Sequence, residues 1–98
     1  VDPETEIVLD DEMSAEVGAK VWHEADGAHI DVRGLAPPAP MTCILRLMER
    51  ADCGPVIIAH LDREPVFLFP ELAERRWRHE RVRSSSDEVR YCLVREGA

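Results

Sequence analysis

No apolar run in these 98 residues approaches the ~20 needed to cross a bilayer, and no basic-then-apolar stretch of a secretory signal opens the chain. Cysteine is scarce and badly spaced. Cys43, Cys53 and Cys92 are odd in number and contain no CxxC pair, which argues against a disulfide framework and against the zinc sites built on such pairs. Reduced thiols in a cytoplasm are therefore expected. Aromatic residues make up 5% of the chain and do not interleave with a basic patch, so stacking on bases is not suggested. Among the four histidines no pair has the i, i+4 spacing of a zinc helix, and HExxH is missing. The length suits one domain, which buries roughly 65% of its unfolded surface and leaves no deep cavity for a large cofactor. Neither a cofactor nor a metal is expected. The start at Val1 rather than Met is what a trimmed chain would show.

What is present is charge, unevenly placed. The chain carries a formal net charge of −8 with 33% charged residues. Residues 1–28 hold nine acids against Lys20, and residues 29–98 balance eleven Arg with eleven acids. An acidic leader repels phosphate backbones, so nucleic acid is an unfavourable partner for the chain. The division expected is a leader over 1–19, loosely ordered or adding a strand through Ile7-Val8-Leu9, followed by a single domain over 20–98.

Element signals sharpen from Lys20. Val21-Trp22-His23-Glu24 and His29-Ile30-Asp31-Val32 flank Asp26-Gly27, the signature of a tight hairpin. A turn centred on Asp26-Gly27 pairs Glu24 with His29 and Val21 with Val32, putting Val21, His23, Ile30 and Val32 on one face. Trp22, Glu24, His29 and Asp31 take the other. A stiff Pro37-Pro38-Ala39-Pro40 loop then leads into a helix, where Pro40 suits the first turn. Met41, Ile44, Leu45 and Met48 recur on its inner face. Val56-Ile57-Ile58-Ala59 reads as a central strand. A short helix with a break at Pro70 follows within 66–76, and two strands over 77–83 and 89–95 close the chain. Right-handed strand–helix–strand crossovers make the inner strands parallel. The fold class is α/β, a two-layer sandwich in which two helices cover one face of a four- to five-stranded mixed sheet.

The stretch His29-Ile30-Asp31-Val32-Arg33-Gly34-Leu35, followed by Pro38-Ala39-Pro40 and a helix, resembles the opening motif of the TusA/SirA-like sulfur carriers. Asp62-Arg63-Glu64-Pro65 and Pro70-Glu71-Leu72 through Trp77 look more like one branch of that superfamily. That branch is an uncharacterised bacterial domain found alone or beside hemerythrin-like domains, and the resemblance covers about residues 29–96. It implies the sandwich described above. It does not imply sulfur chemistry, because Pro37 stands where the carriers have their sulfur-accepting cysteine. A persulfide needs a thiolate activated at a helix N-terminus.

The expected function is a small non-catalytic module that binds a partner protein or a small anionic ligand, without nucleic acid or membrane. The candidate binding residues are Arg33, Pro37, Pro38, His60, Asp62 and Arg63, gathered beyond the carboxyl ends of the parallel strands, where ligands of open α/β sheets collect. Two competing expectations are a thiol-dependent sulfur or redox carrier using Cys43 or Cys92, and a metal- or cofactor-associated accessory domain. The His29–Glu24 pair is expected to be exposed and neutral. The sheet face without helices would expose Trp22, His29, Cys92 and Val94, so a homodimer through that face is a further expectation.

Overall fold

In a computed structural model, which describes residues 11–84 and 87–96, a five-stranded mixed sheet carries three helices. The elements follow one another as α1 (Asp11–Val17), β1 (Lys20–Glu24), β2 (Gly27–Asp31), α2 (Ala39–Met48), β3 (Val56–Leu61), α3 (Leu68–Glu74), β4 (Trp77–Val82) and β5 (Val89–Arg95). Strand order is β1-β2-β3-β5-β4. β2 and β3 are parallel, joined by the α2 crossover, and every other neighbouring pair is antiparallel. This is the two-layer α/β sandwich that the order of apolar segments implies.

Period-two alternation sends Val21, Ala28, Ile30, Ile57, Ala59, Leu61, Tyr91 and Leu93 to the helix-covered face, where all are buried. α2 meets them with Cys43, Ile44, Leu47 and Met48, spaced so that they fall on one stripe. Met41 and Leu45 flank that stripe, half-buried. α3 adds Leu68 and Leu72. Its Pro70 lies in the first turn, where the missing N–H removes no helical bond, so the helix continues through it.

Two further expectations are corrected. Residues 11–17 are helical rather than a loosely ordered leader or an added strand, while Ile7-Val8-Leu9 lies outside the described residues. Met13 and Val17, four apart, put both side chains of α1 into the same core. Gly18 then ends the helix with φ +85°, donating its N–H to the Ser14 carbonyl at 2.9 Å. The Ser14 hydroxyl accepts the Val21 N–H at 2.8 Å and ties α1 to β1. The second correction is the hairpin register. Trp22 pairs with His29 and Glu24 with Gly27, so the turn is Ala25-Asp26 and Gly27 opens β2. A displacement of two residues preserves every face, which is why the inner and outer sets were legible although the pairs were not.

Candidate functional site

Alternation places Trp22, His29, Ile58, His60, Arg90, Cys92 and Val94 on the sheet face away from the helices. Trp22 and His29 are nonetheless not exposed there. Trp22 retains 7%, His29 4% and His60 7% of their accessible surface. The parallel register sets His29 beside Ile58 and His60 beside Asp31, so the two histidines are diagonal neighbours across β2 and β3. Trp22 covers both. Its ring lies 5.2 Å from His29 and 5.3 Å from His60, and the imidazoles are 5.2 Å apart. Three flat rings laid side by side shield each other without a covering helix. Cys92 and Val94, further along the face, are half-buried.

The rings are also joined by hydrogen bonds. His29 Nδ1 lies 2.9 Å from His60 Nε2, and His60 Nδ1 lies 2.9 Å from Glu88 Oε2. Arg90 Nε donates to the same Glu88 oxygen at 2.7 Å, and Arg33 Nη1 donates to Oε1 at 3.2 Å. Arg33 is itself held by Asp31, through Nε at 2.9 Å and Nη2 at 3.0 Å. At the opposite end His29 Nε2 lies 2.7 Å from Asp26 Oδ1 and 3.8 Å from Glu24 Oε2, which also accepts the Trp22 indole N–H at 2.7 Å. The His29–Glu24 pair is thus a buried ring beside a half-exposed carboxylate rather than an exposed pair.

Burial pushes the Glu88 carboxyl up, but hydrogen bonds from Arg90 and His60 outweigh it, and the group stays below the usual carboxylate range. Burial pushes His60 down, against the pull of Glu88, which favours the neutral ring. The hydrogen bond to His29 holds Asp26 low, and the one from Arg33 does the same for Asp31.

Of the residues expected to form a site, the fold unites Arg33 and His60 through Glu88. Asp62 stays close by at the carboxyl end of β3, where its Oδ2 accepts the Gly34 N–H at 2.6 Å. It also borders a polar cleft of about 400 Å³ at the β4–β5 turn, shared with Glu88. Pro37 and Pro38 are exposed at the start of α2, and the Pro38 carbonyl accepts the Thr42 N–H at 3.0 Å. Arg63 is exposed and makes no hydrogen bond or ion pair among the described residues. Sequence spacing gave no sign of Glu88 or of the link from His29 to His60, 31 residues apart.

The cysteines lie elsewhere. Cys43 and Cys53 are buried beneath α2 and just past its end, while Cys92 lies half-buried on β5. Burial pushes all three thiols up, and Glu80 and Asp26 add to the effect at Cys92. For a cation, the described residues offer one group: Glu24, Asp26 and His29 present ligand atoms within 4.8 Å of one another.

No curated protein and no solved structure matches the chain. A family model does. Residues 29–94 fit that of an uncharacterized conserved protein, DUF2249. The match runs from His29 on β2 to Val94 on β5 and takes in His60 and Glu88, while Trp22, Glu24 and Asp26 stand outside it. With about two thirds of its length inside that model, from the first histidine of the buried chain to the last strand of the sheet, the protein belongs to the DUF2249 family.

Proposed function

We propose that the protein is a small non-catalytic binding module on a scaffold like that of the TusA/SirA-like sulfur carriers. Support for the scaffold is the run from β2 through Gly34-Leu35 into Pro38-Ala39-Pro40 and α2, inside a two-layer sandwich. One observation carries the reading away from sulfur transfer. The N-terminus of α2 holds Pro37, Pro38 and Pro40 and no thiol. A persulfide carrier needs a thiolate there, because helix-terminal activation fades within the first turn. Cys43 lies deeper and its thiol is pushed up by burial, as are those of Cys53 and Cys92.

A binding role leaves the open sheet face as the surface offered to a partner, with its rigid ring cluster at one end and Cys92 and Val94 at the other. The test is incubation with a cysteine desulfurase and sulfur-labelled cysteine. The expected result is no stable label on the protein. Stoichiometric persulfide on one cysteine, lost when that cysteine becomes alanine, would overturn the reading in favour of a carrier.

A further inference from the structure

The sheet ends in two edges, β1 and β4. The β1 edge is occupied by its own chain, since the Ser14 hydroxyl accepts the Val21 N–H at 2.8 Å and donates to the Val21 carbonyl at 3.3 Å. Among the described residues nothing outside the sheet hydrogen-bonds the backbone of β4, and its Arg78, His79, Glu80 and Arg81 are exposed. An edge with unpaired N–H and C=O groups is a template for another strand.

The ladder decides which groups face out. The Glu96 N–H donates to the Arg76 carbonyl at 2.8 Å, and the Arg95 N–H turns the other way, to the Pro55 carbonyl at 2.8 Å. Antiparallel hydrogen bonding alternates from one residue to the next. The register of β4 with β5 therefore points the backbone groups of Arg78, Glu80 and Val82 at β5, and those of Trp77, His79 and Arg81 at the open edge. Side chains alternate as well. Arg78 and Glu80 lie on the face away from the helices, opposite Val94 and Cys92. His79 lies on the helix side, stacked on Phe69 with the rings 4.2 Å apart. Glu80 has no hydrogen bond or ion pair among the described residues, and Arg78 has only the exposed Glu96, at 3.5 Å.

We propose that β4 pairs antiparallel with β4 of a second copy of this chain, on a two-fold axis through His79. In that register outward-facing backbone meets outward-facing backbone: His79 bonds its own counterpart, and Trp77 bonds the partner's Arg81. Arg78 then stands directly opposite the partner's Glu80, and Glu80 opposite the partner's Arg78. These are non-hydrogen-bonded pairs, in which side chains approach most closely. Sliding the copies by two residues, the smallest step that keeps outward groups together, sets Arg78 against Arg78 or Glu80 against Glu80. Charges along an edge ordinarily keep strands apart. Here their order rejects the neighbouring registers and accepts one. Such a contact is self-complementary and closes at two copies. The five strands of each copy join in one sheet with all helices on the same side, so the open face is doubled and stays free, whatever it binds. A strand pair of this length falls at the small end of interface sizes, so the dimer is weak and forms at high protein concentration.

The test is sedimentation velocity of the full chain over a concentration series, with circular dichroism to confirm that each variant folds. The parent should pass reversibly from monomer to dimer, and amide exchange at His79 should slow as the dimer forms. Arg78→Glu and Glu80→Arg change exposed side chains. By symmetry each sets like charges opposite one another twice, so each should weaken association by roughly tenfold or more. The double variant carrying both changes restores unlike pairs and should recover the association of the parent. A chain that stays monomeric at millimolar concentration, a dimer indifferent to both single reversals, or a double variant that associates no better than the singles would overturn the proposal.

Discussion

Replacing Glu88 measures how much the buried chain contributes to the fold. The side chain is 6% exposed and accepts from His60, Arg90 and Arg33. In Glu88→Gln the amide oxygen can take the Oε2 position and keep His60 and Arg90, while the NH₂ turns toward Arg33. Arg33 is 40% exposed and already held by Asp31, so it finds water at little cost. What is lost is charge assistance in two bonds, about 1 kcal/mol each, or about 2 kcal/mol in all. Glu88→Ala also leaves the buried His60 Nδ1–H without an acceptor, and breaking a buried ionic cluster costs roughly 3–5 kcal/mol. A domain of this size loses about 4–8 °C of Tm per kcal/mol, so Gln should lower Tm by about 8–16 °C and Ala by more. Urea unfolding at neutral pH, followed by circular dichroism, gives both values. If Ala were no worse than Gln, or both lay within about 0.5 kcal/mol of the parent, the chain would contribute nothing to stability and the reasoning would fail.

Gly27 has φ +136°, and a Cβ there would lie 2.7 Å from the Val56 carbonyl oxygen, so Gly27→Ala should destabilise by at least about 2 kcal/mol in the same urea assay; an unchanged midpoint would refute this. Asp31 is held low by Arg33, so its contribution is complete above the unfolded carboxylate value of about 4 and is lost as pH falls through the lower folded value. Asp31→Asn should therefore flatten the acid limb of a stability–pH curve, and a parallel curve would contradict the pairing. In native protein a maleimide should label half-buried Cys92 first, leaving Cys43 and Cys53 protected until denaturant is added. Labelling of Cys43 at the rate of a free thiol would count against the proposed lack of thiol chemistry.

The sandwich was legible because its information is local and periodic. Val21, Ile30 and Val32 alternate, Ile44 and Met48 recur at helical spacing, and Val56 to Ala59 is continuous. The hairpin register was not, since Asp26-Gly27 and Ala25-Asp26 turns satisfy the same alternation and Gly27 is selected by the approach of Val56, 29 residues away. Helix α1 was hidden by its length. Seven residues with two apolar anchors carry little periodicity, and tertiary contacts to α2 and β1 hold them helical. Arg33, His60 and Asp62 could be placed together because the carboxyl ends of parallel strands are a known gathering point. Glu88 could not, because it precedes β5 on a loop and reaches His60 only through the pairing of β5 with β3. Trp22 and His29 were expected to be exposed because alternation assigns a face but says nothing of rings that cover each other.

The central claim is that His29 and His60 form one hydrogen-bonded unit. Nitrogen-15 NMR of histidine-labelled protein tests it most directly. The account predicts a through-hydrogen-bond coupling between Nδ1 of His29 and Nε2 of His60. Two rings without mutual coupling would contradict it.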